Sequence, residues 1–183
     1  MAVRHGQLAE RLDALGLWRH LPTEVRAANI AAVAQGRHPW VTEIAPDVQF
    51  SADGEDLAEG GVEAFLAGLA RPLEALGVTL HVETVSAAET GTYAVSINGD
   101  AVFLYDENSW HAVSVDDNPW FASTVRPLAA LNRLLGQVGA VERFFTLYTG
   151  ANEGLALLID PAVVAELVRS GVGRKRERPI EAS

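Results

Sequence analysis

Four carboxylates crowd one short stretch, Asp53, Glu55, Asp56 and Glu59, and converging carboxylate oxygens are what hard cations such as Ca2+ and Mg2+ bind. The spacing is not that of a calcium loop, because the turn glycine, the alternating aspartates and the closing glutamate are out of register. Acidic residues at a helix start also accept from its free N–H groups and complement its dipole. Capping accounts for these four residues, and neither a metal nor a cofactor is expected.

Five histidines stand at positions 5, 20, 38, 81 and 111. A histidine beside an acid can act as a general base, so a small hydrolase or transferase built on His81 or His111 is one alternative. No metal-type histidine pair is present. His81 alternates with Thr79 and Glu83 on the outward side of an expected strand, and His111 follows Trp110 in a long connection. Ser114, Asp116 and Asp117 gather a hydroxyl and two carboxylates, but they precede Asn118-Pro119, where such side chains make turns with the backbone. Neither a Gly-x-Ser-x-Gly elbow nor a phosphate-binding glycine loop occurs. The chain has no cysteine, which removes thiolate nucleophiles, disulfides and Cys-ligated zinc. A non-enzymatic role is expected.

The remaining lead is aromatic. Trp110, Trp120 and Phe121 lie in the connection with Asp116 and Asp117, and exposed aromatics beside charges are the usual anchors of a protein interface. The competing use is packing, with these rings folded inward to close one end of a sheet.

The net charge is −10, and it is uneven. Arg174, Lys175, Arg176 and Arg178 against Glu177 and Glu181 give the C-terminal tail +2, so the body before it carries −12. An acidic body repels phosphate backbones, so nucleic acid is not an expected partner. It attracts a basic protein at long range. One lysine against thirteen arginines is the bias of a GC-rich bacterial genome. No apolar leader or membrane-length apolar run occurs in the sequence, and the expected location is cytoplasmic, with no membrane partner.

Apolar periodicity supplies the elements that must position these residues. Leu8, Leu12 and Leu15 mark a helix from residue 6 to about 20, and a second helix runs from Thr23 to Gln35 before Gly36. An irregular stretch to Phe50 follows. Val62, Phe65, Leu66, Leu69, Leu73 and Leu76 form one long stripe that stops at Gly77. Val78 to Val85 reads as a strand. Tyr93, Val95 and Ile97 alternate up to Asn98-Gly99, a dipeptide suited to a two-residue hairpin turn, and Ala101 to Tyr105 returns. Ser123 or Thr124 caps a helix with the face Leu128, Leu131, Leu134, Leu135 and Val138. Phe144 to Tyr148 and Leu155 to Ile159 make a second hairpin, and Asp160-Pro161 opens a last helix closed by Gly171.

These elements predict an α+β fold, a five-stranded antiparallel sheet with helices in the order α-β-β-β-α-β-β-α, preceded by an N-terminal helical pair. Residues 1–50 form the helical extension, 51–172 the α+β domain and 173–183 a flexible basic tail. The order resembles the type III secretion chaperone-like fold shared by the YbjN-type bacterial proteins. The Phe65 to Leu76 helix, the Asn98-Gly99 hairpin, the Leu128 to Val138 helix and Phe144 to Leu158 carry the likeness. It is one of topology and covers residues 55–171. It implies a small, acidic, non-enzymatic protein that binds other proteins. The expected function is therefore that of an adaptor, chaperone or regulator, docking a protein partner through Trp110, Asp116, Asp117, Trp120 and Phe121. A homodimer is a further expectation, because open strand edges invite pairing. A second alternative is an immunity protein that occludes a basic toxin.

Overall fold

The structure, a computed structural model, describes residues 5–38, 40–172 and 177–183. Helices α1 (His5–Ala14), α2 (Thr23–Ala34) and the short α3 (Val41–Ile44) lead into strand β1 (Gln49–Ser51). A broken helical run follows: α4 (Gly54–Asp56), a π turn at Leu57–Gly61, α5 (Val62–Gly68) and α6 (Ala70–Ala75). Then come β2 (Val82–Ser86), β3 (Thr92–Ile97) and β4 (Asp100–Asp106), two 3-10 turns, and the long α7 (Pro119–Gln137). β5 (Arg143–Leu147), β6 (Leu155–Ile159), α8 (Pro161–Ser170) and β7 (Ile180–Glu181) complete the chain.

The α+β class holds, but the single five-stranded sheet does not. Among the described residues seven strands divide between a four-stranded sheet, β1-β6-β5-β7, and a three-stranded sheet, β2-β3-β4. The reason lies in the faces of the strands. Tyr93, Val95 and Ile97 of β3 are buried while the residues between them are half-exposed, so the three-stranded sheet needs cover on one side only. In β5 and β6 every residue after the first is buried. That second hairpin therefore needs apolar cover on both faces, and a meander with one solvated face cannot supply it.

Two hydrophobic cores provide the cover. Phe144, Ala156 and Leu158 point into a core shared with β3, β4, α5, α6 and α7. Phe145, Leu147, Leu157 and Ile159 point the other way, into a core made with α1, α3 and α8. Residues before Phe50, expected as an extension, thus supply half of the covering layer. Trp18 is buried there and donates its indole N–H to the Ile44 carbonyl at 3.0 Å.

The apolar stripe from Val62 to Leu76 is helical in two pieces that meet at Leu69, and a kink precedes it. Gly60 has φ +111, a backbone angle that L side chains avoid, and it creates the π turn. The Ala58 carbonyl and the Val62 N–H would face each other in an unbroken α-helix. Here Val62 N–H donates to the Tyr93 hydroxyl and Tyr105 donates its hydroxyl to the Ala58 carbonyl. Two buried tyrosines from the three-stranded sheet thereby satisfy the groups that the kink frees.

The Asn98-Gly99 turn forms as its sequence requires, with φ +53 and +91. Both strands flanking β3 carry a bulge. Register slips between Thr84 and Ser86 against β3, and between β3 and β4 next to Tyr93. On β4 the extra residue is Leu104, so Leu104 and Tyr105 are consecutive and both buried. The strand expected from Val78 begins only at Val82, and the connection from His111 to Val115 is 3-10 turn and bend.

The C-terminal stretch also departs from expectation. Gly173 to Arg176 lie outside the described residues, but Glu177 to Ser183 are not a loose tail. β7 pairs with β5, and Ala182 is buried. Asn132 of α7 is the clasp: its amide donates to the carbonyls of Phe144 (3.0 Å) and Ala182 (2.9 Å), and its side-chain oxygen accepts from Phe144 N–H (2.6 Å). Tyr148 adds a second tie, donating its hydroxyl to Glu177 at 2.7 Å.

Asn132→Ala takes this partner from two buried groups, Phe144 N–H and the Ala182 carbonyl, while the Phe144 carbonyl keeps Ala182 N–H at 3.1 Å. It is expected to lower the unfolding free energy by about 3 kcal/mol, measured by urea denaturation, with faster amide exchange at Phe144 and Ala182. Unchanged stability would show that the clasp is redundant. A pH effect follows from the tyrosines. Burial, together with its bond to the Glu177 carboxylate, pushes Tyr148 up to about 12, and burial also raises Tyr93 and Tyr105. A raised phenol favours the folded state while neutral. That stability is complete below about pH 10, where an unfolded tyrosine ionises, and for Tyr148 is lost as pH climbs towards about 12. Tyrosinate absorbance should show no folded-state transition near pH 10 and a cooperative rise on alkaline unfolding; an ordinary titration before unfolding would contradict it.

Candidate functional site

Between β4 and α7 the chain spends its polar side chains on its own backbone. The Asp106 carboxylate accepts from Asn108 N–H (2.9 Å) and Ser109 N–H (3.2 Å), while the Ser109 hydroxyl takes Asp106 N–H in return (3.2 Å). Ser114 accepts from Asp116 N–H at 3.3 Å, and Asn118 accepts from Trp120 N–H at 3.0 Å. Three caps in succession hold the connection as two 3-10 turns running into α7. Among the side chains left facing solvent are three large apolar ones: Val113 is fully exposed, Val115 is 68% and Trp110 52% exposed.

Phe103 joins them. It lies between buried Val102 and Leu104 on β4, points outward and is 48% exposed. Arg126 of α7 binds this edge together. It donates to the Leu104 carbonyl at 2.6 Å, where the bulge leaves that group free, and to the Asp117 carboxylate at 2.9 Å. Its guanidinium lies 5.9 Å from the centre of the Phe103 ring, within cation–π range. Trp110 is fixed by an edge-on contact with Tyr105, ring centres 5.7 Å apart, and Tyr105 meets Tyr93 in the same manner.

The five residues expected to form an interface fall into three positions. Trp120 and Phe121 are not in the loop; α7 starts at Pro119, four residues before the expected cap, and places both in its first turn. There they are half-buried, Trp120 against the first core. Together with Val113, Val115 and Gly150 they line a shallow depression of about 310 Å³. Asp116 and Asp117 are exposed beside it; Asp117 pairs with Arg126, whereas the Asp116 carboxylate has no partner among the described residues. Trp110 stands apart from the depression, on Tyr105. Phe103, Val113 and Val115 were missed. For Phe103 the signal was present, since alternation from Val102 to Leu104 turns it outward.

Close backbone approach seats the depression. A Cβ on Gly54 would lie 3.0 Å from Gly150 Cα and 3.1 Å from Trp120 Cβ, so α4, the β5–β6 loop and α7 meet with no room for a side chain. Asn152 of that loop donates to Glu55 at 2.7 Å.

The other candidates take up structural positions. Asp53 caps α4, accepting from Glu55 and Asp56 N–H at 2.9 and 3.3 Å. Among the described residues no three His, Asp or Glu side chains converge as a metal set. His81 is largely exposed and meets only Glu83, at 3.1 Å. His111 is exposed, and neither histidine lines the depression. No described helix is long and apolar enough to cross a membrane. No protein-family model matches the chain, and neither a curated protein nor a solved structure does.

Proposed function

We propose that this chain is a non-enzymatic protein-binding domain, an adaptor or regulator, and that it docks a basic polypeptide segment on the face formed by Phe103, Trp110, Val113 and Val115. The observation that carries this reading is the concentration of exposed apolar side chains within residues 103–115, on a chain whose other aromatics are buried or half-buried. Exposed apolar side chains gathered in one short segment mark an interaction site more often than scattered ones do. The surrounding charge selects the partner: Asp116 is unpaired, Asp117 and Glu107 are exposed, and the net charge of −10 favours a basic segment. This is the role that the resemblance to the secretion-chaperone-like proteins implied, resting now on an exposed face and not on element order.

Three of the four strand edges, all but that of β4, favour a partner other than a second copy. Thr84 N–H on the outer edge of β2 already donates to Glu63, at 2.9 Å, and β2 is bulged. The edges of the larger sheet are strands of three and two residues. Short, bulged or capped edges resist pairing.

Photocrosslinking from position 113 in cells of the source organism should trap a discrete basic protein, and crosslinking from exposed Val25 on α2 should not. With that partner purified, Val113→Asp should weaken binding by about thirtyfold, the scale of one interface hot spot. Asp116→Asn should slow association and flatten its salt dependence. Binding indifferent to Val113→Asp, or equal crosslinking from both positions, would overturn the proposal.

A further inference from the structure

We propose that a second site, a cavity at the seam of the two cores, binds a small amphiphilic cation: a compact apolar body carrying one amine. The cavity measures about 350 Å³ and is walled from both cores, by Phe50 and Leu158 of the first and by Leu17, Ile159 and Val163 of the second. Pro72 and Ala75 of α6, with Leu76 just after it, form a further wall. It lies where α6, the turn after α1 and the start of α8 come together. Its size is at the lower end for ligand pockets, which are typically about 300–1,000 Å³. A short alkyl or single-ring body fits that volume, and a peptide does not. It shares no lining residue with the depression beside Val113, so the two sites stand or fall separately.

The rim decides the charge of the occupant. Asp47, Glu142 and Asp160 bring three carboxylates, against the guanidinium of Arg19 and the imidazole of His20. Arg19 is already committed, since it pairs with Glu142, whose side chain is 16% exposed. Gly16 sets that reach: its φ is +81, and a Cβ there would lie 3.2 Å from Arg19 Cδ, so the arginine stem passes over the bare glycine. Asp160 gives one oxygen to Ala162 N–H at 2.7 Å. Asp47 is exposed and has no partner among the described residues. An anionic head would add a further negative charge to this rim. An ammonium instead gains a charge-assisted bond from Asp47, with the tail displacing water from apolar walls.

The test uses the full chain with hexylamine, hexanol and sodium hexanoate, three heads on one tail, followed by amide chemical shifts and thermal denaturation. Hexylamine should shift the amides of Leu17, Phe50 and Leu158 and raise the Tm, as any ligand of the folded state does. Hexanol should bind more weakly and hexanoate weakest. Asp47→Asn should weaken hexylamine about tenfold and leave hexanol unchanged. Ala75→Trp, made from an exposed position, should fill the cavity and abolish binding of all three; if it fails to fold, the Asp47→Asn comparison and the shift map still decide. Equal binding of amine and carboxylate, shifts confined to other acidic surface, or indifference to Asp47→Asn would overturn the inference.

Discussion

The β5–β6 hairpin is the constraint from which the rest of the architecture follows. Across it Phe145 faces Leu157 and Phe144 faces Leu158, and the two pairs point into different cores. A ribbon that is apolar on both faces must be enclosed on both, and its backbone groups must find partners along both edges. The N-terminal helices and α8 enclose one face, and α7 with the broken helical run encloses the other. β1 and β7 take the edges. Segments far apart in sequence, the helices from His5 onward and the strand Ile180–Glu181, are thus drawn to the most apolar strands.

Much of this was legible where the signal is local. Asn98-Gly99 turned where its left-handed tolerance requires, Asp160-Pro161 opened α8, and Gly171 closed it at φ +75. Each of these depends on a few adjacent residues. What the sequence left hidden depends on distant ones. The apolar runs of β5 and β6 state that both faces are buried, and reading them as one-faced strands merged two sheets into one. The two residues of β7 are too few to carry a periodic pattern, and what helps to hold them is distant in sequence: Asn132, about fifty positions earlier, bonds the Ala182 carbonyl.

The candidate site was half legible for the same reason. Trp110, Asp116, Asp117, Trp120 and Phe121 attracted notice through residue type, but type does not say which rings turn inward. Asn118, not Ser123 or Thr124, captures the first helical N–H, so α7 begins early and carries Trp120 towards the core. Val113 and Val115 give no signal by themselves. They face outward because Asp106, Ser114 and Asn118 are engaged with the backbone, and that bookkeeping of hydrogen bonds is visible only in three dimensions.

This arrangement also determines how the face can bind. Side chains held before the partner arrives lose little freedom on docking, and the entropy of ordering is a main cost of association. Trp110 rests on Tyr105, Phe103 lies against Arg126, and three caps fix the connection between them. The apolar groups therefore govern how long a partner stays. The carboxylates act over a longer range, about 10 Å in 0.1 M salt, and govern how fast it arrives. Because Asp117 is partly neutralised by Arg126 and Asp116 is not, the steering charge is concentrated on Asp116 and on the acidic body behind it. A partner lacking basic residues would meet the same apolar anchors but reach them more slowly, so charge separates candidates by encounter and the rings by residence.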